Sequence, residues 1–129
     1  MKSILNFALV ICLSAGLFTT GCTLKEEGNR PPRKPSNPYP ADGATGVTPH
    51  IILRWSCSDP DGDSLSYLVF FGGNPDFGLV FNALEGDSID IWMRGYYLAY
   101  DRTFYWKVVA KDEQGEVTSG DKWRFTTGP

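Results

Sequence analysis

Asp59, Asp61 and Asp63 alternate through "SDPDGDS", and carboxylates at that spacing on a turn can converge on calcium, which takes about six to eight oxygen ligands. The EF-hand template is not met: Gly62 falls at the fourth loop position, where the glycine belongs at the sixth, and the twelfth is Phe70 in place of a bidentate Glu. A metal-free turn uses the same residues, with Pro60 and Gly62 setting the backbone and Asp accepting bonds from it. A second group is aromatic. "IWMRGYYLAY" packs Trp92, Tyr96, Tyr97 and Tyr100 around Arg94 and Gly95, and strand alternation cannot bury all of them. Rings left in water beside an Arg suit sugar faces or peptide ligands, because a flat ring supplies contact area at low entropic cost. The alternative is that Trp92 closes one end of the fold and the tyrosines cover a crossover.

Residues for catalysis are harder to find. His50 is the sole histidine of the sequence, and without a second histidine or a nearby thiol it builds neither the usual zinc site nor a Cys-His pair. The remaining Asp and Glu form no paired set that spacing places on one side of a cleft, so glycoside hydrolysis has no foothold. With no nucleophile-base pair, metal cluster or phosphate loop, no enzyme and no cofactor are expected. A formal charge of -3 and a pI near 5.0 supply no basic field, which excludes nucleic acid as a partner.

The elements that must position these groups read as strands. In "IILRWSCS", Ile51, Leu53, Trp55 and Cys57 fall on one face and Ile52, Arg54, Ser56 and Ser58 on the other. The same period of two puts Leu65, Tyr67, Val69 and Phe71 inward in "LSYLVFFG". It gives Ile89 and Ile91 in "SIDIWM", Phe104, Trp106, Val108 and Ala110 in "TFYWKVVAK", and Trp123, Phe125 and Thr127 in "DKWRFTT". Cys57, beside Trp55, is then a small buried hydrophobe. Leu68 and Phe70 fall on the solvent side of their strand, where they form an apolar patch or lie beneath "GLVFNAL". Turn-forming stretches, "DPDGD", "GGNPDFG", "LEGD" and "DEQG", separate the runs, and no helical spacing interrupts them. With 129 residues there is room for one core, an all-β antiparallel sandwich of about seven strands.

"PSNPYPADGATGVTPHIILRWSCSDPDGDSLSYLVFFG" followed by "LAYDRTFYWKVVAKDEQGEVTSGDKWRFTT" resembles bacterial fibronectin type III modules, with an immunoglobulin-like sandwich over 36–129. The shared pattern is Pro40, Gly43 to Gly46, Trp55, the acidic turn, Leu65, Tyr67, Trp123 and Phe125. One departure concerns the corner leucine, Leu98: the family has tyrosine six residues later, and here Phe104 stands there. The resemblance implies a missing hydroxyl bond of about 1 kcal/mol, so Phe104→Tyr is expected to stabilise.

The first residues carry an address. Lys2, the apolar "ILNFALVICLSAGLF" and small residues ending at Gly21 read as a targeting segment over 1–21, too short for a spanning helix of about 20 apolar residues. Gly21-Cys22 resembles the lipobox of bacterial lipoproteins, although Thr19 stands where that family has leucine. The resemblance implies three acyl chains on Cys22, a membrane anchor well beyond the two-signal threshold; an ordinary cleaved signal is the alternative. Lipidation of Cys22 and loss of Cys12 with the leader would leave Cys57 without a disulfide partner. Thr23 in place of Asp implies outer-membrane sorting, and "KEE" at 25–27 is similar to a short signal for export to the cell surface, or is a solvated linker. Residues 22–35, rich in proline, are expected to form a flexible spacer reaching roughly 40 Å.

Together these features predict a non-catalytic, lipid-anchored protein of the bacterial cell envelope whose module mediates binding or adhesion. Two further readings are a carbohydrate-binding accessory lipoprotein of a polysaccharide-utilisation system, with Trp92, Tyr96 and Tyr97 as its platform, and a structural subunit of envelope assembly that binds protein.

Overall fold

In the computed structural model, residues 28–83 and 86–129 are described, and the chain divides into two units, Met1–Arg30 and Pro31–Pro129. The leader and Cys22 lie outside the described residues. Among its described residues the second unit contains nine strands: β1 Ser36–Tyr39, β2 Ala44–Val47, β3 Ile52–Ser56, β4 Ser66–Gly72, β5 Leu79–Ala83, β6 Ser88–Asp90, β7 Thr103–Lys111, β8 Val117–Ser119 and β9 Trp123–Thr127. A smaller sheet has the order β1-β3-β6. The larger runs β2-β9-β7-β4-β5, with β8 also paired to β7.

Period-two alternation is what forces this arrangement, because each strand has one face that must leave water. Leu53 and Trp55 of β3, with Ile51 just before it, are buried while Arg54 and Ser56 are exposed. Tyr67, Val69 and Phe71 of β4, Trp106, Val108 and Ala110 of β7, and Trp123 and Phe125 of β9 meet them from the other sheet. Register places Val69 beside Val108, Phe71 beside Trp106 and Trp106 beside Trp123. The rings of Tyr67, Trp55, Trp106 and Trp123 contact in sequence, at centroid separations of 5.2, 6.4 and 4.8 Å. Each such side chain contributes about 1.5–3 kcal/mol when fully removed from water, so this file of rings is the centre of the fold.

Two features differ from the expectation of about seven strands in a purely antiparallel sandwich. The opening segment is split: β1 runs antiparallel to β3 in the small sheet, whereas β2 runs parallel to β9 in the large one. The chain changes sheets between them through a cis Tyr39-Pro40 bond and a turn at Gly43. "SNPY", "ATGV" and the short β8 "VTS" carry no apolar alternation, and their backbone pairing alone makes them strands.

Part of the expected spacer also belongs to the fold. Pro32 and Pro35 are buried, the Arg33 amide donates to the Ser58 carbonyl at 2.9 Å, and the Pro32 carbonyl accepts from the Thr118 hydroxyl at 2.7 Å. Room for Pro35 comes from Gly120, where an added Cβ would lie 2.9 Å from the Val108 carbonyl and 3.3 Å from Pro35 Cβ. A proline-rich stretch is already extended, so it docks like a strand once a groove without a side chain is offered. The packed unit therefore begins ahead of the boundary expected at Ser36.

The corner that lacks its tyrosine is clasped differently. Thr127, almost fully buried, donates its hydroxyl to the Ala99 carbonyl at 2.7 Å and accepts from the Arg102 amide at 3.0 Å. Phe104 lies stacked on Phe71 instead, the rings 5.5 Å apart and 10° from parallel.

Candidate functional site

The aromatic segment is set by a single helical turn. Ile91 is buried, its amide donates to the Ile51 carbonyl at 3.3 Å, and it begins a 3-10 turn over Trp92–Arg94 that ends at Gly95 with φ of 89°. Asp90 Oδ1 caps the turn by accepting from the Met93 amide at 3.1 Å. With Ile91 pointing in, the next residues point out: Trp92 is 43% exposed and Tyr97 72%. Trp92 packs against His50 at 4.0 Å and meets Tyr97 edge-on at 5.4 Å and 86°. His50 in turn lies 3.5 Å from Asp90 Oδ2. Tyr96 abuts Phe81 edge-on, and Arg94 covers the same ring while donating to the Asn82 carbonyl at 3.2 Å.

Tyr96 and Tyr97 form one wall of a groove of about 370 Å³, a size suited to a small ligand or part of a larger one. Its floor is Phe71 and Phe104, and its opposite wall is the turn from Gly72 to Leu79, with Arg102 and Asn74 as polar groups. That turn folds tightly back on β4, since a Cβ on Gly72 would sit 2.7 Å from the Gly78 nitrogen. Phe77 lines the groove with φ of 61°, a left-handed conformation that is costly for a bulky side chain and recurs at functional positions. The Asn74 carbonyl accepts from the Phe77 amide and the Phe71 carbonyl from the Gly78 amide, which holds the strained residue in place. Lys107 and Lys122 lie 5.8 and 5.4 Å from the Phe77 ring.

Of the five ring and Arg residues singled out from sequence, the structure thus brings two into the groove. Trp92 buttresses Tyr97 from outside, Arg94 is turned onto Asn82 and Phe81, and Tyr100 is exposed away from the lining. Trp92, Tyr97 and Tyr100 are exposed, while Tyr96 also covers the buried Phe81 of the core. Arg102, Asn74 and Phe77 escape sequence reasoning because they come from turns without periodicity; a bulky residue inside the Gly-rich "GGNPDFG" was the available signal.

The acidic turn sits at the other end of the β4-β7 ladder, where Ser66 pairs Lys111, away from the groove end where Gly72 pairs Tyr105. Its membership also changes. Asp59, Asp63 and Asp112 each place a carboxylate oxygen within 4.8 Å of the others, and Asp61 is not among them. Alternation in a turn does not put residues on one face, and the loop after β7 brings Asp112 in. Asp59 Oδ2 accepts from the amides of Asp61 and Asp63 at 2.9 and 3.2 Å, while Asp112 Oδ1 accepts from those of Gln114 and Glu116, both at 2.9 Å. Burial, then the fields of Asp59, Glu113, Asp112 and Asp61, pushes the Asp63 carboxyl above its ordinary range.

Cys57 is half-buried and packs against the core, its thiol donating to the Arg33 carbonyl at 3.2 Å; burial pushes its pKa up, away from a reactive thiolate. Leu68 and Phe70 do face outward on β4. β5 lies beside them in the same sheet and does not cover them, pairing Asn82 with Leu68 and Val80 with Phe70.

No protein-family model matches the chain, and no curated protein matches it in sequence. Among solved structures it is similar to the PKD domain of an M14-like peptidase from a Thermoplasmatales archaeon, with TM-score 0.55 and 18% identity over 79% of this chain and all of that one. It is also similar to part of the Streptomyces avermitilis α-L-rhamnosidase determined with L-rhamnose, with TM-score 0.55 and 15% identity over 76% of this chain and 10% of the enzyme. A human fibronectin type III domain aligns with TM-score 0.48 and 20% identity, over 81% of this chain and 93% of that domain. The described domain is an all-β, immunoglobulin-like sandwich, the fold of the PKD domain with which it aligns.

Proposed function

We propose that this is a non-catalytic, lipid-anchored protein of the bacterial cell envelope whose sandwich binds a carbohydrate in the groove between Tyr96-Tyr97 and the Gly72 to Leu79 turn. The observation that carries the reading is the Tyr97 ring: exposed, braced edge-on by Trp92, and forming the wall of a groove floored by Phe71 and Phe104. Rings held at fixed angles offer apolar faces to a sugar's C-H surface, and Asn74 and Arg102 supply the few polar groups that orient its hydroxyls. Non-catalytic action is supported by the state of the one described thiol: Cys57 is shifted away from thiolate by burial. Anchoring through Cys22 rests on the sequence alone.

A second reading, assembly with an envelope protein, is favoured by β5, an edge strand of the larger sheet whose Val80 is exposed. Such an edge can accept a partner's strand. Affinity electrophoresis of the protein through gels containing soluble polysaccharides separates the two: retardation by a glycan supports the groove, and uniform mobility across a broad panel overturns it. Protease treatment of intact cells tests the address, with loss of the domain expected if "KEE" directs it to the surface.

A further inference from the structure

We propose that Asp59, Asp63 and Asp112 form a calcium site that ties the turn before β4 to the turn after β7. Proximity of three carboxylates would not be enough, since acidic groups often cluster in water. What singles these out is burial without satisfaction. Asp59 is only 9% exposed and Asp112 4%. The Oδ2 of Asp59 is fully used by the amides of its own turn, yet its Oδ1 is buried and accepts no hydrogen bond, and Oδ2 of Asp63 is in the same condition. A carboxylate oxygen out of water with no donor is the least favourable state for such an atom. One carboxylate oxygen from each of Asp59, Asp63 and Asp112 lies within 4.8 Å of the other two, which gathers the three groups around a common position for a cation.

The donor chemistry selects the ion. All three ligands are hard oxygens with no imidazole or thiolate among them, which suits calcium or magnesium over zinc or copper. Magnesium requires a near-ideal small octahedron, whereas calcium accepts irregular mixtures of carboxylate and water. Asp59 and Asp63 also border a cleft of about 490 Å³ between the turn and Gly86-Asp87, so the approach to two of the three ligands is from the surface. The remaining amide bonds already fix the ligands: Asp59 and Asp112 each organise a turn with one oxygen, and Glu113 joins the two by accepting from the Ser64 amide at 2.7 Å. The site is thus preformed, and the ion would staple two loops that are far apart in the sequence.

The test is thermal unfolding and calorimetric titration of the full-length chain in detergent after chelation. Calcium at a hundred-fold excess over its Kd should raise the unfolding midpoint by about 10 °C, and magnesium at equal concentration should raise it far less. Asp63→Asn, which removes a charge that faces other carboxylates and whose Oδ2 makes no bond in the fold, should keep or raise the metal-free midpoint and lose the calcium response; Asp59→Asn keeps an oxygen for its turn and should likewise lose the calcium response. No calcium heat and no midpoint shift in the unsubstituted chain, an equal response to magnesium, or a response that survives in Asp63→Asn would each overturn the proposal.

Discussion

The Thr127 hydroxyl spans the corner of the sandwich, donating to the Ala99 carbonyl at 2.7 Å while its oxygen accepts from the Arg102 amide at 3.0 Å. One buried hydroxyl thereby ties the end of β9 to the crossover that carries Tyr96 and Tyr97. The corner does not need the tyrosine that fibronectin type III modules place at the position of Phe104.

Thr127→Val keeps the shape and removes both bonds, leaving a carbonyl and an amide without partners. We expect a loss of about 1–3 kcal/mol in urea unfolding. Phe104→Tyr, stabilising on the sequence pattern alone, should add less than about 0.5 kcal/mol, because the Ala99 carbonyl already has its donor. A larger gain would show that the corner is under-satisfied.

Gly120→Ala should cost about 1–3 kcal/mol, because the new methyl meets the Val108 carbonyl at 2.9 Å and presses on Pro35. Proteolysis should then reach residues 31–35 sooner than in the unsubstituted protein. Equal stability would mean that Pro35 is not docked.

Tyr67 gives the fold an alkaline limit. Burial first, then the fields of Cys57 and Asp87, pushes its phenol from 10.0 up to about 12. The folded state thus holds this proton more tightly than the unfolded chain, so its contribution is intact below pH 10 and lost as pH rises towards 12. Unfolding midpoints measured across that window should fall, and Tyr67→Phe should flatten this part of the profile.

Replacing exposed rings should separate binding from stability. Tyr97→Ala is expected to change stability by no more than about 0.5 kcal/mol, since the side chain is 72% exposed. Trp92→Ala should cost about 1 kcal/mol through its contacts with His50 and Tyr97. Circular dichroism melts of both variants check this before any ligand is added.

Much of the fold was legible in the alternation of apolar residues. Leu53, Trp55, Val69, Phe71, Trp106, Val108 and Phe125 all lie in the core, because a period of two leaves a strand one choice of inward face. The unread parts are those where backbone pairing or shape decides without a side-chain pattern. β1, β2 and β8 are too short and polar to show a period, and the docking of Pro35 depends on a gap at Gly120, far along the chain. The same reason divides the sites. An excess of rings in "IWMRGYYLAY" announced Tyr96 and Tyr97, but Phe77, Asn74 and Arg102 come from turns that meet them only in space. Asp59 and Asp63 stood out in one motif, while their third companion, Asp112, belonged to another turn.

Calorimetric titration of the unsubstituted protein and of Tyr97→Ala with the glycans that retard it in gels addresses the central claim most directly. The groove account predicts saturable binding by the first and at least an about tenfold weaker affinity in the second at unchanged melting temperature, the scale of a single stacked ring and its contacts. Equal affinity in the two would place the ligand elsewhere and contradict it.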